Sequence, residues 1–193
     1  MKVTVKAVVV GVVLGGAVSF GLGVLDGAIR AKGGQPLDWT MRMGTSTAIG
    51  MVGFILTSVL SGNKALRLAG AADDQRAKQF APDPQRGVIY VFRDAFVGKL
   101  LGVDVLIDGR PAAQTRGKTF IRLEVSPGDH VVSCVSPSDR SQVDLPVSVA
   151  ASAIVYVEQQ MKMGAMRAGY ALALNGEADS QKRIRRCRML AVG

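Results

Sequence analysis

His130 is the single histidine among 193 residues, and it is the first place to look for chemistry. It follows the turn sequence Ser126-Pro127-Gly128-Asp129, with Ser133 three residues further on. A catalytic histidine needs an acid and a nucleophile brought to its ring nitrogens. Neighbours within one turn and one strand do not supply that geometry, so His130 reads as structural. Asp104, Asp108, Asp129, Asp139 and Asp144 are scattered over turns and strand starts. A calcium site would place alternating oxygen ligands in one loop, and these do not. Cys134 and Cys187 lack CxxC spacing, and a structural zinc site needs about four ligands. No metal or cofactor is expected. In an oxidising compartment the two cysteines could form a disulfide, but the sequence does not say whether their Cα atoms come within bridging distance.

Charge narrows the partners. Lys and Arg number 24 against 15 Asp and Glu, a net +9. From Phe80 onward the balance is only 15 to 11, a net +4, and the rest of the excess lies near the apolar N-terminal segments. Basic residues beside membrane spans are the ordinary positive-inside signal. With few aromatics and no interleaved basic–aromatic motif, nucleic acid is not expected as a partner. The densest run is Lys182, Arg183, Arg185, Arg186 and Arg188. It reads either as a solvated helix face or as a contact for anionic lipid headgroups.

The elements that would carry these residues begin with two apolar segments, Ala7–Leu25 and Met43–Leu60. About 19 residues at 1.5 Å each span roughly the hydrocarbon thickness of a bilayer. A polar loop with Arg30, Lys32, Pro36 and Asp38 joins them, and Trp39 stands where an interfacial aromatic belongs. Gly11, Gly15, Ser19, Gly23 and Gly27 recur every four residues, which puts them on one helix stripe. Gly50 and Gly53 offer small positions on the second segment. In lipid, helices associate through close backbone approach, so residues 1–62 are expected to form a two-helix transmembrane hairpin with a glycine zipper. The stripe either closes this hairpin or joins copies into a homo-oligomer. A cleaved signal peptide ending near residue 25 is the alternative for the first segment.

Residues 63–85 read as a helical connector that Pro82 and Pro84 bring to an end. From residue 86 to 193 the hydrophobic period falls to two. Gly87–Arg93, Val103–Ile107, Thr119–Val125, His130–Val135, Val143–Val149, Ala153–Gln159 and Tyr170–Leu174 read as strands. Asp108-Gly109 is a hairpin turn signal, and Pro146 marks its strand as an edge. Glu177–Arg188 reads as a short basic helix or docking segment.

Several of these pieces occur in a recognisable order: RAKQFAPDP, GVIYVFRD, the VLIDG turn, the SPGDH turn, YVEQQMKMG, and a basic end around Cys187. Residues 73–190 thereby resemble the bacterial domain-of-unknown-function family 2846, and the turn arrangement is similar to PEGA-type β domains. The resemblance implies an Ig-like or prealbumin-like antiparallel β-sandwich and no known activity. Similar proteins are often exported lipoproteins with a cysteine just ahead of this region. Here Leu68-Ala69-Gly70 is followed by Ala71, which has no thiol to acylate, so the hairpin reads as a replacement anchor.

The expectation is an all-β soluble domain behind a transmembrane hairpin, multi-pass in a bacterial inner membrane. Membrane lipid and an unidentified protein are its expected partners. Its expected role is non-enzymatic binding or scaffolding in the envelope. The alternatives are an enzyme accessory or hydrolase with an unrecognised site, and a zipper-driven homo-oligomer. Charge counts beside the segments favour a cytoplasmic domain, and the lipoprotein resemblance favours the periplasm.

Overall fold

The computed structural model describes residues 5–35, 38–60, 63–96, 99–137, 140–163 and 168–192. The chain divides into two compact units, Met1–Ser61 and Gly62–Gly193.

The first unit is a pair of helices, α1 (Val5–Ala31) and α2 (Trp39–Leu60). α1 runs past Asp26, because that carboxylate is taken up by Arg30 one turn on (3.1 Å) and by Arg42 of α2 (3.4 Å). Gly33, at φ +74°, stops the helix: the Gly34 N–H bonds the Ile29 carbonyl and the Gly33 N–H bonds that of Arg30. Asp38 starts α2 by accepting the Thr40 N–H at 2.9 Å. Val8–Ala31 is long and apolar enough to cross a membrane; among the described residues it is the one helix that is. A membrane anchor and a signal sequence both have that character.

The second unit is a mixed structure of nine strands and two helices among the described residues. Its five-stranded sheet has the order β8 (Ala168–Leu174), β7 (Ile154–Met163), β1 (Gly87–Arg93), β4 (Thr119–Val125), β9 (Arg188–Met189). Its four-stranded sheet runs β3 (Arg110–Thr115), β2 (Val103–Ile107), β5 (Gly128–Val135), β6 (Gln142–Val149). β6 lies at an edge, as Pro146 requires, since proline has no N–H for a second neighbour. The two sheets share one apolar core: Ile89, Val91, Ile121 and Val157 from the first meet Val103, Val105, Val132 and Val147 from the second.

The unit is not all-β. A third layer covers the outer face of the five-stranded sheet, built from α3 (Ala71–Ala77), Phe80 and α4 (Glu177–Ile184). Val88, Tyr90 and Phe92 of β1, with Phe120 and Tyr156, pack there against Ala77, Phe80, Ile184 and Cys187. β1 is therefore buried at all seven positions. It pairs antiparallel with β4 and parallel with β7, so the sheet is mixed rather than wholly antiparallel.

The expected helical connector also changes. Only Ala71–Ala77 is helical. The stretch before it is extended, with Leu68 bridged to Leu190 and Ala69 N–H bonded to the Met189 carbonyl. The free β9 edge captured these backbone groups, overriding the helix preference of an alanine-rich stretch.

Candidate functional site

The Asp108-Gly109 turn between β2 and β3 has φ +52° and +75°, the left-handed pair that a two-residue hairpin needs. It presents the Asp108 carboxylate to β5, where Oδ1 accepts the Val131 N–H at 2.9 Å and Oδ2 lies 2.7 Å from His130 Nδ1. His130 Nε2 sits 2.7 Å from the Ser126 carbonyl oxygen. Both neighbours are acceptors, so both ring nitrogens are best satisfied when each carries a proton. The Asp108 and Ser126 bonds hold the imidazole above its ordinary pKa, and the same contact with the Val131 N–H holds Asp108 below the usual carboxylate value. This is a clamp between two turns. The hydroxyls of Ser126 and Ser133 are not at the ring nitrogens, and the carboxylate bonded to Nδ1 is Asp108 rather than Asp129.

A second cluster lies where β1, β7 and α4 meet. Arg183 grips Glu158 through both terminal nitrogens, with Nη1 2.8 Å from Oε2. Its Nε is 3.5 Å from Asp94, Nη1 is 3.4 Å from Asp179, and its guanidinium covers the Phe92 ring. Glu158 also accepts from Asn175 (2.8 Å) and Gln160 (3.2 Å), and Lys118 pairs with Asp94. Glu158 is buried, and this set of donors is what makes a buried carboxylate tolerable. Arg183 is thus removed from the expected lipid-facing group: it is a strut beneath α4. Lys182, Arg185, Arg186 and Arg188 are exposed, Arg185 lying over the Phe80 ring.

A third polar group sits inside the shared core. Arg93 is fully buried, donates from Nη1 to the Leu101 carbonyl at 2.8 Å and faces the Tyr170 ring. Gln159 accepts from Thr115 Oγ1 at 2.5 Å. Burial lowers the Arg93 pKa and pushes the nearby Cys134 thiol up to about 12. Strand parity carried a signal for both residues. Arg93 is in phase with Ile89 and Val91, and Gln159 with Val155 and Val157, so each polar side chain points between the sheets.

The disulfide expectation is corrected. Cys134 and Cys187 are both free and buried. Cys134 belongs to the core between the sheets and Cys187 to the cluster beneath the helices, so the five-stranded sheet stands between their environments. Burial also pushes the Cys187 thiol up to about 12. Among the described residues, no group of three or more His, Cys, Asp or Glu side chains could hold a metal; Asp139 lies outside them.

In the helical unit the structure brings four of the small positions together. A Cβ at Gly11 would lie 3.0 Å from the Gly50 carbonyl oxygen, and one at Gly50 2.9 Å from that of Gly11. Gly15 faces Ser46 at 3.2 Å, and Gly53 faces the Leu14 side chain. Gly23 meets the Arg42 guanidinium instead, Gly27 has open space, and Ser19 is half-buried.

A cleft of about 300 Å³ lies beside β3, lined by Val105 and Ala113 and by Lys64, Arg67, Asp104 and Gln114. Lys64 Nζ and Gln114 Nε2 both bond Asp104 Oδ1, at 2.9 and 3.1 Å. Lys64 and Asp104 neutralise one another at the rim.

A two-sheet unit with a helical cover defines a structural class rather than a chemistry, and comparison adds a likeness to one family. Residues 83–171 match the family described as Protein of unknown function (DUF2846). A distant relative is an uncharacterized protein of Haemophilus influenzae (strain ATCC 51907 / DSM 11121 / KW20 / Rd), 26% identical over 132 residues, which cover 68% of this chain and 77% of the relative. No solved structure matches. These matches support the DUF2846 resemblance and not the PEGA-type likeness.

Proposed function

We propose that this chain is a non-enzymatic binding or scaffolding module of the bacterial envelope: a β-sandwich of Ig-like or prealbumin-like character held to the inner membrane by a two-helix hairpin. The observation that carries the proposal is the outer surface of the helical unit. Val8, Val12, Val13, Phe20 and Val24 of α1 and Met43, Met51 and Val52 of α2 are all exposed. Apolar side chains on that scale need a cover, and lipid supplies one without any specific partner. The polar residues of the pair fit the same environment. Ser46 and Thr57 return their hydroxyls to the carbonyls of Arg42 and Gly53, each at 2.8 Å, and Asp26 is neutralised by Arg30 and Arg42. The close approaches at Gly11, Gly15, Gly50 and Gly53 support a zipper that closes one hairpin, since they are already filled by the same chain. On the β unit, His130, Asp108, Glu158 and Arg183 are each held by structural partners, which supports a role in presenting a surface rather than in turnover.

The test is a pair of topology reporters, alkaline phosphatase and a fluorescent protein, fused after Gly34 and at the C-terminus. A hairpin gives opposite sides for the two fusions. Reports from the same side would show that α2 does not cross and would end the two-span proposal.

A further inference from the structure

We infer that the C-terminal segment and the extended stretch before α3 together form a contact surface for anionic phospholipid. The inference rests on the membrane-anchored reading proposed above and names a second lipid-binding element within the β unit.

It starts from charge that the fold leaves unmatched. Most acidic groups around the tail are spent: Asp73 on Arg76 (3.6 Å), Asp74 on Lys78 (2.6 Å) and the Met189 N–H, Asp179 on Arg183; Glu177 accepts only from the neutral Gln181 (2.9 Å), and the exposed cations outnumber it. Among the described residues, Lys182, Arg185, Arg186 and Arg188 are exposed and form no ion pair. The fold has selected them from a longer run by drawing Arg183 alone inward to Glu158.

Backbone pairing adds an apolar component. The Ala69 N–H bonds the Met189 carbonyl and the Ala191 N–H bonds the Arg67 carbonyl, laying 67–69 antiparallel to 189–191. Leu66, Leu68 and Val192 are brought together there and stay 40%, 36% and 45% exposed. Exposed leucine and valine beside arginine is the composition that suits a bilayer interface, where apolar tips enter the headgroup layer and cations meet phosphate. An acidic protein would match the charge without needing the apolar tips. The pairing also fastens the tail to Leu68, which lies only eight residues along the chain from Leu60, the last residue of α2. Chain connectivity therefore favours lipid as the occupant.

The experiment uses the full chain in vesicles of phosphatidylcholine, alone or with about 30 mol % phosphatidylglycerol to give a negative surface. Cys134 and Cys187 are buried, so Val192→Cys supplies the one reactive thiol. It takes an environment-sensitive dye added from outside, and the lipids carry a nitroxide quencher. Quenching should be strong in anionic vesicles, weak in neutral ones, and suppressed by high salt. Neutralising one cation, as in Arg186→Gln, should weaken the contact equilibrium about fivefold, and Lys182→Gln/Arg185→Gln/Arg186→Gln/Arg188→Gln should abolish it. A dye on Ser148→Cys of β6 is the reference. Quenching equal in both lipid mixtures, or unchanged in Arg186→Gln at an unchanged melting temperature, overturns the inference. Carbonate washing separates this from the anchor. A chain that washes off yet rebinds only anionic vesicles retains the tail surface and refutes the anchor; one that binds neither refutes both.

Discussion

Replacing Asp108 with asparagine should remove the charge from the His130 clamp while leaving its geometry. Asparagine tolerates the φ of +52° at this position, and its Oδ1 can keep the Val131 N–H. What is lost is the carboxylate facing His130 Nδ1 at 2.7 Å. A hydrogen bond to a charged group contributes about 1.5–3 kcal/mol. Asp108 is about half exposed (47%), so solvent screening brings the expected cost to about 1 kcal/mol. For a unit of this size that is a fall in Tm of about 3–6 °C. The sign with pH follows from the two shifts. His130 is raised above its ordinary 6.5, so its contribution is full below 6.5 and disappears as pH rises through the folded value. Asp108 is lowered from 3.8, so its contribution is present above 3.8 and disappears as pH falls through the folded value. The clamp is therefore strongest between about pH 4 and 6.5. Melting the detergent-solubilised chain across pH should show Asp108→Asn most destabilised near pH 6 and converging with the parent as pH rises beyond the folded His130 pKa. Since His130 is the only histidine, its imidazole proton signals are unambiguous and should titrate above 6.5 in the parent and lower in the variant. An equal Tm difference at every pH, or a parent titration at or below 6.5, would refute the clamp.

Three other perturbations test separate parts of the structure. Arg183→Gln leaves Glu158 buried without its main partner and should cost about 2–3 kcal/mol by thermal or urea unfolding, more than Glu158→Gln, which removes the buried charge itself. Gly50→Ala places a Cβ against the Gly11 backbone and should destabilise the helix pair by about 1–3 kcal/mol in detergent, whereas Gly16→Ala, in open space, should be neutral. Cys134 and Cys187 should resist thiol reagents in the folded chain and react fully on denaturation, because burial holds both thiols near 12.

How legible each element was follows from the physics that formed it. Strands such as Val143–Val149 were visible because one inward-facing side imposes a period of two. β3, Arg110-Pro111-Ala112-Ala113-Gln114-Thr115, has no such pattern or strand propensity; it is a strand because the Asp108-Gly109 turn folds it back onto β2. The helical cover was half-written in Gly87–Arg93: apolar residues on both of its faces require a layer on each side. The pairing of His130 with Asp108 depends on contact across 22 residues and a fixed β2–β5 register, which no local spacing encodes. The Arg183–Glu158 pair, 25 residues apart, and the separation of the cysteines are hidden for the same reason.

The central proposal is that Val5–Ala31 is a retained membrane anchor rather than a signal sequence. Its most direct measurement is the intact mass of the protein recovered from carbonate-washed membranes of the producing cell. The account predicts a carbonate-resistant chain whose mass still includes α1. Recovery in the carbonate supernatant, or of a chain shortened by α1, would contradict it.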